Sequence, residues 1–146
     1  MFGEQQDPSR ETEVPGAAGN EDGEWDFISR YTRAQAIEDG VLVDVSETAR
    51  EAGIRIPVAV TRAVWERYVT LTPAAERAGN DKRGRLWDVV WMLRFGIVAN
   101  RNKSEFLYQL LVVTDSVRPS RVTLKAMCGP GDDAEPVITV LLPDED

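Results

Sequence analysis

Histidine is absent from all 146 residues, and cysteine occurs once, as Cys128. His is the commonest general base and metal ligand near neutral pH, so Ser-His pairs, Cys-His pairs and His-ligated zinc are excluded. A single thiol cannot close an internal disulfide, which fits a reducing compartment and an expected cytoplasmic location. Long apolar runs are missing too. The longest, Val89-Val90-Trp91-Met92-Leu93, stops at Arg94, whereas a membrane span needs roughly 20 apolar residues. The first thirty residues are acidic and polar and hold no apolar stretch of the kind that marks a secretory leader.

What is present suits one domain. The length matches a single core, and 42% hydrophobic residues, with four Trp, three Tyr and four Phe, can build it. Charge is laid out in blocks. Residues 1–29 carry a net −7, residues 132–146 a net −6, and residues 30–131 a net +5, within an overall −8. The chain therefore reads as a mildly basic body with two acidic ends. Residues 1–24 have too little to bury to offset roughly 1–2 kcal/mol of backbone entropy per residue, and disorder is expected there. Trp25, Phe27 and Ile28 mark where the chain should join a domain running over 25–146.

The pattern inside that domain is α+β. Thr32 and Gln35 form a capping-box pair, predicting a short helix with Ala34 and Ile37 facing in and Gly40 ending it. Residues 41–45 read as a strand, Ser46 as the cap of a helix that stops at Gly53, and Thr61 as the cap of a third helix with Val64, Trp65, Tyr68, Val69 and Leu71 inward. Pro57 holds Ile56 extended. Residues 72–81 read as a polar loop, and Asn80 or Asp81 starts a long helix over about 82–99. Its apolar residues go most of the way round, which predicts cover on more than one side. Residues 106–114, 121–128 and 137–142 then read as three strands, joined by turns at 115–119 and 129–133. The expected fold is a long central helix packed on an antiparallel three-stranded meander, with the 41–45 strand available to extend it.

Candidate chemistry is sparse. Cys128 has no His to lower its pKa and reads as a half-buried structural residue. Asp132, Asp133 and Glu135 lack the interleaved spacing of a calcium loop and read as a hairpin turn. Lys82, Arg83 and Arg85 oppose the dipole of the helix they begin, which suggests either a solvated helix start or contact with an acidic partner, nucleic acid or the chain's own acidic ends. Asp88 is placed to pair with Arg85. Trp87 and Trp91, at i and i+4, are core residues or, if one face is open, interface anchors.

Tyr31–Ser46, Pro57–Trp65, Gly84–Phe95 and Val122–Asp133 together resemble a family of uncharacterised bacterial proteins, a domain of unknown function often encoded on plasmids, prophages and other mobile elements. The resemblance covers roughly residues 27–146. It implies a cytoplasmic accessory protein and brings no catalytic residues with it.

The expected function is a non-catalytic interaction protein of a mobile element, monomeric or homodimeric, that acts on a host or defence complex. It needs no cofactor or metal and makes no membrane contact. Lys82, Arg83, Arg85, Trp87, Trp91, Asp132 and Asp133 are its candidate contact residues. The alternative is nucleic-acid binding by the basic body (Arg62, Arg67, Lys82, Arg83, Arg85, Arg101, Lys103, Arg118, Arg121 and Lys125), with the acidic ends as internal competitors. The third reading is an enzyme using Asp44, Asp88 or the Asp132-Asp133 pair as acid or base.

Overall fold

A computed structural model of the chain describes residues 31–113 and 118–145. The acidic segment 1–24, the joining residues Trp25, Phe27 and Ile28, and most of the 115–119 turn lie outside the described residues. From Arg33 onward the elements are α1 (Arg33–Glu38), β1 (Leu42–Asp44), α2 (Ser46–Glu51), β2 (Val58–Thr61) and α3 (Arg62–Val64). The last of these runs into a π turn (Trp65–Val69), followed by α4 (Pro73–Arg77), α5 (Lys82–Ala99), β3 (Glu105–Val112), β4 (Ser120–Pro130) and β5 (Pro136–Leu141).

The last three strands pair antiparallel in chain order, as the meander predicts. The sheet does not stop there. Five strands form it, in the order β1-β2-β5-β4-β3. β2 lies parallel to β5, with Val58 opposite Ile138 and Val60 opposite Val140, and β1 pairs antiparallel with β2. The meander is thus one part of a mixed sheet, and β2 is the strand that sequence reasoning passes over. All four of its residues are buried. A strand covered on both faces shows no alternation, and four residues beside a proline give no period to read.

Local chemistry sets the element ends. Gly40 and Gly53 adopt φ of +78° and +96°, the left-handed region that closes α1 and α2. Thr61 Oγ1 accepts the Val64 N–H at 3.3 Å, so the expected cap forms, but only one α turn follows before the helix widens into the π turn. Asp81 caps α5, accepting the Gly84 N–H at 2.6 Å. Two expectations are corrected. Ser46 opens α2 from inside: its hydroxyl accepts the Val58 N–H at 3.0 Å and donates to Asp44 at 2.6 Å, tying α2 to β2. The expected loop 72–81 contains α4, where Thr72 accepts the Ala75 N–H at 3.1 Å and Pro73 supplies the helical φ.

The core lies between α5 and the sheet. Val89, Val90 and Leu93 of α5 are fully buried against Val58, Val60, Leu124 and Val140. Gly96 lets the helix come close to β3: a Cβ there would stand 2.6 Å from the Phe106 ring and 3.3 Å from Tyr108 Cβ. The Tyr108 hydroxyl donates to the Val89 carbonyl at 3.1 Å, and burial pushes its pKa well above the ordinary phenol value. In α1 it is Ala36 that is buried, with Ile37 half-buried and Ala34 exposed. The π turn and α2 flank α5, and among the described residues no helix is long and apolar enough to cross a membrane.

The first N–H groups of α1 are served from the far end of the chain. One oxygen of Asp132 accepts from Arg33 at 2.8 Å and the other from Ala34 at 3.0 Å. The Arg33 guanidinium then donates to Thr139 Oγ1 at 2.7 Å and to the Ile138 carbonyl at 2.8 Å, which fastens α1 to β5. Asp132→Ala removes both acceptors and is expected to lower unfolding free energy by about 1 kcal/mol, the usual worth of a helix cap. Urea titration of the two proteins measures this. A Glu135→Ala control should move the midpoint less, because Glu135 bonds only within its own turn, to the Asp133 N–H at 2.9 Å.

Candidate interaction surface

The long helix has an open side. Val89, Val90 and Leu93, with Arg85, face the sheet, while Trp87, Trp91, Phe95 and Val98 follow one another at steps of four, four and three along the other side. Trp91, Phe95 and Val98 are 36%, 51% and 53% exposed, and Trp87 is half-buried. The expectation that α5 is covered on more than one side is therefore corrected: its apolar residues form a buried face and an open stripe.

The stripe is ordered by its own rings. Trp87 and Trp91 stack at 5.5 Å between centroids with 17° between planes, and Phe95 meets Trp91 edge-on at 5.6 Å and 84°. Each such pair contributes about 0.5–1.5 kcal/mol beyond burial. The Arg94 guanidinium lies 5.4 Å from the Trp91 ring centroid. At the other end of the ladder, Lys82 Nζ stands 5.9 Å over the Trp65 ring of the π turn. Cations held over ring faces gain about 0.5–1 kcal/mol at exposed sites.

Trp65, Leu86 and Trp87 floor an open cleft of about 960 Å³ between α2, the π turn and the start of α5. Glu47 and Glu51 line its α2 side, and Lys82 and Arg83 its α5 side. The expected basic cluster is consequently balanced by carboxylates and backed by indole rings.

Arg85 is not part of that surface. It is 2% exposed, and its guanidinium donates to the Tyr68 carbonyl and to the Val113 carbonyl, both at 2.6 Å. The π turn ends at Val69 and leaves carbonyls that no helical N–H can reach, so a buried cation there does the work of a C-terminal cap. Burial lowers the Arg85 pKa, and the charge of Asp88 acts in the opposite direction. Asp88 is exposed, and partial burial raises its carboxyl while Arg85 pulls it down. The expected Arg85–Asp88 pair is thus only an attraction at a distance, because the Arg85 nitrogens point to backbone carbonyls. Arg85 Nε has no partner among the described residues.

The other expected residues scatter. Asp132 is engaged with α1, and Asp133 sits exposed in the 131–135 turn; neither lines the cleft. Lys125 is buried and its ammonium donates to the Glu145 carbonyl. Cys128 is exposed, near the end of β4, where it was expected to be half-buried. Of the seven candidate contact residues, Lys82, Arg83, Trp87 and Trp91 share one surface. Phe95, Val98 and Arg94 belong to it and were missed, although the i, i+4, i+8 spacing of Trp87, Trp91 and Phe95 was there to read.

Arg85→Met keeps length and apolar packing but leaves two carbonyls without donors. It is expected to cost about 1–3 kcal/mol for each buried carbonyl left without its donor. Lys82→Glu with Arg83→Glu, both exposed, should change stability by less than about 1 kcal/mol. Thermal and urea unfolding of both variants tests the division between a structural Arg85 and a solvent-facing pair.

No curated protein and no solved structure matches the chain. A family model does match, over residues 22–146, which includes every element described above. The chain belongs to DUF6573, a family of unknown function.

Proposed function

We propose that the protein is a non-catalytic interaction protein whose partner is a protein segment with apolar anchors flanked by charged residues. The observation that carries this reading is the Trp87–Trp91–Phe95 ladder, left open together with Val98 along one side of α5. Aromatic side chains are favoured at interfaces because they supply large area at the cost of ordering two torsions. Here the rings are already ordered against one another. Charges of both signs border them, Lys82 and Arg83 facing Glu47 and Glu51 across the cleft and Arg94 lying against Trp91. An accessory role toward a host or defence complex, in the mobile-element and cytoplasmic setting that the resemblance implies, accords with such a surface. The nucleic-acid alternative is weakened by the loss of Arg85 and Lys125 to internal bonds and by Glu47 and Glu51 beside Lys82.

The test is a pull-down with full-length tagged protein from bacterial lysate, with and without nuclease. A stoichiometric protein that survives nuclease and disappears with Trp91→Ala or Phe95→Ala is the expected result. In a binding titration with that protein, Trp91→Ala should weaken affinity by about thirtyfold, corresponding to a hot-spot loss of about 2 kcal/mol. Loss of all capture on nuclease treatment, and with Lys82→Glu/Arg83→Glu rather than with Trp91→Ala, would replace this reading with the nucleic-acid one.

A further inference from the structure

β3 is the last strand of the sheet, and among the described residues no strand pairs with its outer side. Its ladder with β4 fixes what that side carries. The Cys128 N–H donates to the Ser104 carbonyl at 2.7 Å, so the step just before Glu105 opposite Met127 is a hydrogen-bonded pair. By the alternation of antiparallel ladders, Phe106, Tyr108, Leu110 and Val112 bond to β4. Glu105, Leu107, Gln109 and Leu111 then direct their N–H and C=O groups away from the sheet.

Edge strands are usually blunted by shortness, proline, lysine or a bulge. β3 has none of these. It runs eight residues in unbroken register with β4, and Glu105 is its only charge. Leu107 and Leu111 are 58% and 59% exposed on the sheet face away from α5. A groove of about 600 Å³, between Asp88, Trp91 and Met92 of α5 and residues 109–111, runs beside the same edge.

We propose that this edge pairs antiparallel with the same edge of a second copy of the chain, about a two-fold axis perpendicular to the sheet at Gln109. In that register Gln109 meets its own counterpart and Leu107 meets Leu111 of the second copy, and the reverse, while Glu105 falls opposite Val113. The outward groups of Leu107, Gln109 and Leu111 then bond in three pairs, about two hydrogen bonds each. Moving the axis to Tyr108 sets Leu111 against Glu105, and moving it to Leu110 sets Leu111 against Gln109. Only the Gln109 axis opposes leucine to leucine on both sides and keeps the carboxylates apart, and such cross-strand pairing is what selects register. The product is a ten-stranded sheet. A perpendicular two-fold keeps both α5 helices on one face, so the dimer presents two aromatic ladders to the same side. The acidic segment 1–24 is a poorer occupant, since its residues are weak strand formers and would bring carboxylates to Glu105 and Asp88. This pairing does not depend on the partner proposed for the α5 ladder.

Sedimentation equilibrium of the full-length chain, from micromolar to submillimolar concentration, should give twice the chain mass. Gln109→Pro removes an N–H that points outward, a position where edge strands tolerate proline. It should therefore yield a monomer with an unchanged far-ultraviolet circular dichroism spectrum. In a Cys128→Ser background, Gln109→Cys should form a disulfide-linked dimer under mild oxidation, because opposed Cα atoms lie about 5.5 Å apart, within disulfide reach. Leu107→Cys should not, since its two copies would be about 13 Å apart along the strands. A monomer at every concentration overturns the proposal, as does a dimer that Gln109→Pro leaves intact or that links through Leu107→Cys. A monomer whose melting temperature nevertheless falls with Gln109→Pro also overturns it, and assigns the edge to the chain's own N-terminal segment.

Discussion

The pairing of β2 with β5 is the contact on which the rest of the domain depends. It joins the first half of the chain to the last strand, and it sits in the middle of the sheet. Val58, Val60, Ile138 and Val140 are buried on both sides of this seam. The residues that fasten the sheet's surroundings also converge there. Arg33 reaches the Ile138 carbonyl, Ser46 bridges to the Val58 N–H, and the Ile138 N–H donates to the Pro57 carbonyl at 2.9 Å. Without that seam, α1 and α2 would have no sheet to pack on, and α5 would cover only a three-stranded ribbon.

What could be read from the sequence followed from local chemistry. Asp81 before Lys82, Thr61 before Arg62, and Gly40 and Gly53 after their helices all act within a few residues, and each is found where its chemistry places it. The C-terminal strands were legible because Val, Leu, Ile and Thr run between clear turn residues. β2 was not, since a four-residue strand buried on both faces has neither period nor length. Nor was Asp132 as a partner of α1, because nothing local announces a contact between residues 99 positions apart.

The surface was legible only in part, for a similar reason. Lys82, Arg83, Trp87 and Trp91 were picked out by charge and by spacing. Arg85 was grouped with its neighbours because sequence shows adjacency rather than direction. Lys82 and Arg85, three positions apart, lie on the same side of α5 toward the π turn, but Lys82 sits exposed in the helix's first turn over the Trp65 ring, whereas Arg85, one turn further in, reaches the carbonyls of Tyr68 and Val113. Conversely, Phe95 and Val98 are among the apolar residues that go most of the way round α5, and an all-round apolar helix has two possible fates. It can be buried on every side, or it can keep one side for something else. Gly96 helps decide which: by bringing the opposite face against Phe106 and Tyr108, it fixes the rotation of the helix and leaves Phe95 outward.

The central place of β5 also bears on how the protein reaches its fold. Val58 and Ile138 are neighbours across the seam but eighty residues apart in the chain. Closing so long a loop must precede any gain from the parallel ladder, and folding slows as such non-local pairings increase. The meander of β3, β4 and β5, together with α5, is built from contacts close in sequence, and so is the pairing of β1 with β2. Only the seam between β2 and β5 joins distant parts of the chain. Until it closes, the outer edge of β5 and the facing edge of β2 are both open, so the two strands that end at the centre of the sheet are the last to lose their exposed edges.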